Sequence, residues 1–241
     1  MARPWIAAIA LATALAGSFG SAAVPARLGA GISTVTNYGI AYRPEGAEGA
    51  RPLIVLLHGA GQQARPFVEA MRGEADRCGC LLLGVQSTAA TWDLIGQLNH
   101  EGRARANFSS SDKDAVHIER AVGALVANGS ADRRRIVLAG FSDGASYALS
   151  IGRAKPRLYY GIVAMAPGFQ VEPKANEPSQ RIVIAHSKTD RVLPYGRSRD
   201  AIFAPLKRAG YRAHFLTYDG GHSIDTQVMG QAIDLVLQSG S

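Results

Sequence analysis

Three residues spread along this 241-residue chain are of the types that together activate a hydroxyl group. Ser142 lies in GFSDG between Gly140 and Gly144, Asp190 in HSKTDRVLP, and His222 in YDGGHS. A serine hydroxyl is a weak nucleophile near neutral pH and needs a base to take its proton. An imidazole suits, because its pKa lies near the working pH. The imidazole needs a carboxylate to fix its tautomer and stabilise its charged form, and a tetrahedral intermediate needs N–H donors. The HGAGQ stretch, residues 58–62, can supply such donors: Gly59 and Gly61 let the backbone turn sharply and expose its amides. The G-x-S-x-G spacing alone is weak evidence, since the composition predicts about 0.2 matches per chain by chance. Its weight comes from its surroundings.

Those surroundings are short apolar runs alternating with helical patterns. Residues 52–59 (PLIVLLHG), 80–86, 135–140, 160–165, 181–186 and 212–218 read as strands. Residues 64–77, 143–153, 196–209 and 224–238 read as helices. A further helix carries Ala115, Ile118, Ala121, Val122, Leu125 and Val126 on one face. Residues 87–113 read as a long polar loop. Strands that are apolar throughout, not in alternation, are covered on both faces. Strand–helix alternation implies an α/β fold, a mostly parallel central sheet flanked by helices on both faces. In such sheets ligands bind beyond the carboxyl ends of the strands, and the four stretches above all fall there. At Ser142 the chain passes from strand straight to helix. A side chain on so tight a turn clashes with its neighbours unless the positions two before and two after lack a Cβ, and Gly140 and Gly144 meet that demand.

Competing residues fit the three roles less well. His58 precedes Gly59 and shapes that loop, while His100 and His117 lie in the polar loop and on a helix. His186 ends a strand, where it either makes a structural hydrogen bond or lines the site, and His214 sits inside a strand. Asp219 and Asp225 are too close to His222 in sequence to face its ring without straining the turn, and Asp200 falls within a helix pattern. Three aromatic residues, Trp92 in the long loop and Phe169 and Tyr195 after strands, either line a substrate pocket or pack in the core.

The order Ser142, Asp190, His222, with GFSDG as a nucleophile elbow and HGAG as an oxyanion loop, resembles the α/β-hydrolase superfamily. LLHGAGQ and LAGFSDGASYALS bring the chain closer to compact secreted esterases of the phospholipase/carboxylesterase and polyhydroxybutyrate-depolymerase-like groups. The resemblance covers residues 51–238. It implies Ser142 as nucleophile, His222 as general base and acid, Asp190 as its orienter, and the backbone N–H groups of Ala60 and Asp143 as oxyanion donors. It also implies two-step acyl transfer on a carboxylic ester, without metal or cofactor. The superfamily often inserts a cap after the sixth strand, but residues 166–180 are too few for a large lid. The same three residues would serve a peptidase, a thioesterase, a lyase or an acyltransferase, and a non-catalytic binding module could keep the architecture.

The first residues read as an export signal: Arg3, then an uncharged run from Trp5 to Gly17, then the small-x-small pattern Ser21-Ala22-Ala23. The run is shorter than the roughly 20 residues that span a bilayer, so no stable membrane anchor is expected. Residues 1–23 are thus expected to be removed, leaving 24–241 as a single catalytic domain in the periplasm or outside the cell. The formal net charge of +7 comes from scattered Lys and Arg. Its one dense run, Arg133-Arg134-Arg135, reads as a solvated turn, so the expected partner is a small or polymeric ester and not nucleic acid. The two cysteines, Cys78 and Cys80, would sit near the ~7 Å limit for a bridge in extended chain. They are therefore expected to be ordinary thiols, and a C-x-C pair without a nearby third ligand makes a poor metal site.

Overall fold

The computed structural model describes residues 26–96, 112–173 and 177–238. Eight strands form one sheet: β1 (Gly31–Thr36), β2 (Gly39–Arg43), β3 (Arg51–Leu57), β4 (Leu81–Val85), β5 (Ala131–Phe141), β6 (Gly161–Met165), β7 (Arg181–Ser187) and β8 (Arg212–Tyr218). Their order across the sheet is β1-β2-β4-β3-β5-β6-β7-β8. β2 runs antiparallel to both its neighbours, and every other pairing is parallel. The helices are α1 (Ala64–Cys78), α2 (Lys113–Ala127), α3 (Asp143–Ala154), a π-helical turn Arg197–Phe203 running into α4 (Ala204–Arg208), and α5 (Thr226–Leu237). The architecture is that of an α/β hydrolase.

The fully apolar strands are explained by two cores, one on each face of the sheet. Ile54, Leu56, Val137, Val163 and Val183 pack with Phe67 and Met71 of α1 and with Met229, Ile233 and Val236 of α5. Leu53, Val55, Leu138, Ile162 and Ile184 pack on the other side with Ile118 and Leu125 of α2 and with Tyr147 and Leu149 of α3. A buried aliphatic side chain contributes about 1.5–3 kcal/mol. Alternate strand residues feed both cores, so a one-residue slip in register would exchange the two sets.

Three expectations change. The β1–β2 hairpin does not show in the sequence as an apolar run, because β1 is only partly buried and reads as mixed polar. The helix expected over 196–209 is two pieces, since Pro205 has no N–H to give the carbonyl of Ala201 and the widened π turn ends beside it. Cys78 and Cys80 are not free thiols: they form a disulfide with their Cα atoms 5.3 Å apart. Extended chain does not describe this segment. Cys78 ends α1, and Gly79 caps it in the left-handed region at φ 60°, with the Cys80 N–H donating to the Ala75 carbonyl. The chain doubles back and draws the two sulfurs together. Residues 1–23, read above as an export signal, and His100 lie outside the described residues.

Candidate active site

The turn at Ser142 is tightly constrained. Ser142 has φ 55° and ψ −117°, a left-handed conformation that costs a non-glycine residue about 1–3 kcal/mol. Its N–H donates to the Met165 carbonyl at the end of β6 (2.9 Å), and its own carbonyl accepts from the N–H groups of Ala145 and Ser146. The flanking glycines are obligatory. A Cβ on Gly140 would lie 2.2 Å from the Gly144 carbonyl oxygen, and one on Gly144 would lie 2.0 Å from that of Leu57. The close approach lets β5, α3 and the end of β3 meet at one point, with Ser142 at the tip and half-buried.

His222 bridges the other two residues. Its Nε2 is 3.0 Å from Ser142 Oγ and its Nδ1 is 2.7 Å from Asp190 Oδ2. Phe141 supports the imidazole, with ring centroids 4.9 Å apart. The Asp190 side chain is fully buried, whereas that of His222 is 17% exposed. Burial alone would raise the Asp190 carboxyl. The hydrogen bond from His222 and the N–H groups of Leu193 and Val192, both on Oδ1, outweigh it and hold the pKa below the ordinary value. The loops carrying the acid and the imidazole are tied together by Ser187, whose hydroxyl oxygen accepts from the N–H groups of Gly220 and Gly221 (3.1 Å each).

The glycine loop after β3 is held from behind. The His58 ring is fully buried. Its Nδ1 faces the Gly59 carbonyl, which only accepts, and its Nε2 faces the Ser87 N–H, which only donates, with Gln86 Nε2 at 3.0 Å. His58 is therefore the neutral Nδ1–H tautomer, and burial lowers its pKa against the pull of the Gly59 bond. The Gly59 N–H donates to Gln62 Oε1, and the Gly61 N–H to the Ala90 carbonyl. The N–H groups of Ala60 and Asp143 have no acceptor among the described residues. Asp143 also opens α3, whose N-terminal dipole favours negative charge. Its carboxylate accepts a 2.6 Å bond from the Thr91 hydroxyl.

Of the three aromatic candidates, Trp92 is corrected. Its indole is fully buried, donates to the His58 carbonyl at 2.9 Å and stacks on Tyr147, so it braces the glycine loop from the core side and lines no pocket. Phe169 is half-buried against the core, its N–H 3.4 Å from Ser146 Oγ. Tyr195 is half-buried with its ring edge-on to His186 and Phe215. Sequence reasoning did not give Thr91 a place, and it left His186 undecided. His186 lies against Asp190 at 3.1 Å, and its four-residue spacing from that carboxylate was the available signal.

One acidic grouping, Asp93, Asp112 and Asp114, is close enough to share a cation. Its carboxylates accept from the N–H groups of Ala115, Thr88, Asp93 and Lys113 and from the Tyr147 hydroxyl. It anchors the loop that carries Thr91, and we assign it no ion.

A mostly parallel sheet in this strand order, with a serine, an imidazole and a carboxylate linked beyond its carboxyl edge, defines an α/β hydrolase. Residues 44–238 match the Phospholipase/Carboxylesterase family, and the chain belongs to it. Among solved structures it is similar to the carboxylesterase of Bacillus cereus, with a TM-score of 0.61 and 17% identity over 82% of this chain and 92% of that one. It is likewise similar to a phospholipase/carboxylesterase from Dyadobacter fermentans, at 0.62 and 18% over 86% and 99%. For LpqC, a poly(3-hydroxybutyrate) depolymerase from Bordetella parapertussis, the values are 0.63 and 19% over 83% of each chain. No curated protein sequence gives a significant match.

Proposed function

We propose that this protein is an exported serine esterase that cleaves carboxylic esters through an acyl-enzyme, with Ser142 as nucleophile. The observation that carries this reading is the single line of hydrogen bonds from Asp190 through His222 to Ser142. The Asp190 carboxylate holds Nδ1–H of the imidazole, which leaves the lone pair of Nε2 facing the hydroxyl. As Ser142 Oγ attacks the ester carbonyl carbon, its proton passes to Nε2, and the carbonyl oxygen takes up negative charge against the N–H groups of Ala60 and Asp143. Collapse breaks the bond to the alkoxy oxygen, which leaves as the alcohol with the proton from Nε2. Water then repeats the sequence on the acyl-enzyme and restores the serine.

Family membership supports ester hydrolysis, and the short connection over residues 166–180 supports an open site that admits a bulky or polymeric ester. Phe169 and Tyr195 are proposed as its walls. Export rests on the pattern of residues 1–23. The test is labelling by a fluorophosphonate probe together with hydrolysis of a series of chromogenic esters and amides. The expected result is one label per chain, lost in Ser142→Ala, with a fall in kcat of about 10⁴-fold or more and esters preferred over amides. Undiminished hydrolysis by Ser142→Ala would refute the mechanism, and preferential amide cleavage would refute the substrate class.

A further inference from the structure

A second histidine touches the buried carboxylate. His186, the penultimate residue of β7, is fully buried. Its Nε2 is 3.1 Å from Oδ2 of Asp190, the same oxygen that holds His222, and 3.0 Å from the Leu193 carbonyl. Both neighbours only accept, so Nε2 must carry a proton. On the other side of the ring, Nδ1 is 2.6 Å from Ser198 Oγ, which itself lies 2.8 Å from the Pro167 carbonyl. With its oxygens taken together, Asp190 therefore accepts four hydrogen bonds: two from backbone at Oδ1 and two from imidazoles at Oδ2.

We propose that His186 is a positioning residue of the catalytic site, which fixes Asp190 Oδ2 by an Nε2–H bond and, by sharing that oxygen with His222, sets the acid limb of the pH–rate profile. A hydrogen bond to an anion draws charge toward the donor. With the His186 donor present, less charge on Oδ2 is left to favour the imidazolium of His222. With the donor gone, Oδ1 stays clamped by Val192 and Leu193, but Oδ2 loses one of its two donors, is less firmly placed, and concentrates more charge where it meets His222.

The groups around His186 are few. Asp190 and His222 lie on its Nε2 side, and Tyr195 meets the ring edge-on with centroids 6.0 Å apart. Tyr218 senses the Asp190 charge from β8. On the π turn that delivers Ser198, Arg199 and Asp200 are exposed and paired with each other. Burial depresses the basicity of His186 against the opposing pull of the Leu193 carbonyl and Asp190. That favours the neutral form with its proton on Nε2, and the one Ser198 hydroxyl hydrogen is then shared between His186 Nδ1 and the Pro167 carbonyl.

The kinetic half of the test rests on the esterase reading; the spectroscopic half does not. In ¹⁵N-histidine-labelled full-length protein at pH 8, His186 should show a protonated Nε2. An unprotonated Nε2 with Nδ1–H would overturn the proposal whatever the chain catalyses. In pH profiles of kcat/KM on a chromogenic acetate ester, His186→Leu should move the acid limb up by about 0.5–1 pH unit and lower kcat about tenfold or more, with KM within about twofold. His186→Gln, whose amide can place an N–H where Nε2 stood, should recover most of both effects. A profile for His186→Leu that overlays the wild type, or a His186→Gln variant as impaired as His186→Leu, would also overturn it. The wild-type tautomer decides the matter even where His186→Leu fails to fold.

Discussion

Gly144→Ala adds one methyl group where three elements converge. The new Cβ would lie 2.0 Å from the Leu57 carbonyl oxygen and 2.5 Å from both the Leu57 carbonyl carbon and the His58 carbonyl oxygen. All three are backbone atoms at the end of β3, so no side-chain rotation relieves the contact. Side-chain carbons essentially never sit closer than 3.0 Å to such atoms, so α3 and β3 must separate by about 1 Å. That movement acts along a sensitive direction: Ser142 and the Asp143 N–H ride on α3, and the Ala60 N–H follows β3. Misplacement of about 1 Å between groups that act on one reacting centre can lower the rate about 100-fold. Overpacking of this kind costs about 1–3 kcal/mol. At about 2–4 °C per kcal/mol for a domain of this size, the Tm should drop by roughly 2–12 °C. A matched control is Gly73→Ala in α1, where an added Cβ meets nothing within 4 Å, so the change should stabilise the helix by about 0.5–1 kcal/mol. The assays are a thermal melt and kcat/KM on a chromogenic ester, normalised by fluorophosphonate titration of competent sites. Wild-type kcat/KM and Tm in Gly144→Ala would refute the claim that the elbow is held at its steric limit.

Stability should fall as pH drops from 7 toward 5. Burial lowers the pKa values of His58 and His186, so below about 6.5 the unfolded chain takes up protons that the folded one resists. The depressed Asp190 carboxyl acts lower, where its contribution is lost only as pH falls below the ordinary carboxylate range. Burial raises Asp112 and Asp114, so the folded form protonates first and gains some stability as pH falls toward the ordinary carboxylate range from above, a smaller effect opposite in sign to that of the histidines. A Tm that stays level between pH 7 and 5 would contradict the assignment of two buried neutral imidazoles. Thiol reagents should label neither cysteine in the oxidised folded protein, and the double change Cys78→Ser, Cys80→Ser should cost no more than about 1–2 kcal/mol, because the closed loop is so short. Rapid labelling without a reductant would show that the bridge is absent.

The parallel sheet was legible because each of its core strands carries apolar residues on both faces, and only a sheet covered twice has a use for Leu53 and Ile54 together. The same logic hides β1, which lies at the edge of the sheet, is only partly buried and tolerates polar residues. Gly140 and Gly144 made Ser142 conspicuous because their requirement is steric and therefore local. Trp92 misled for the opposite reason. A loop aromatic looks the same in sequence whether it faces solvent or core, and the deciding fact is a hydrogen bond to His58, thirty-four positions away. Cys78 and Cys80 misled because the left-handed cap at Gly79 sets their separation, and extended chain is the wrong reference for a helix end.

Separate segments contribute the serine, the acid and the base, and each can be recognised by its own residue type. What aligns them cannot, because it lies in bonds between segments. Ser187 ties the loop of the imidazole to the loop of the carboxylate, Ser198 and Pro167 fix the far side of His186, and Thr91 holds Asp143. None of these partners is chemically distinctive: each is a serine, a threonine or a backbone carbonyl. Their effect is nevertheless large, because a buried carboxylate stays charged only while its acceptor sites are filled. Asp190 has no solvent to fill them, so four protein donors do so. Two of these are backbone N–H groups, which no substitution other than proline removes. The imidazoles are the pair that a substitution can alter, and they bond the same oxygen. A change at His186 must therefore be felt at His222 through Asp190 Oδ2, even though His186 makes no bond to the serine.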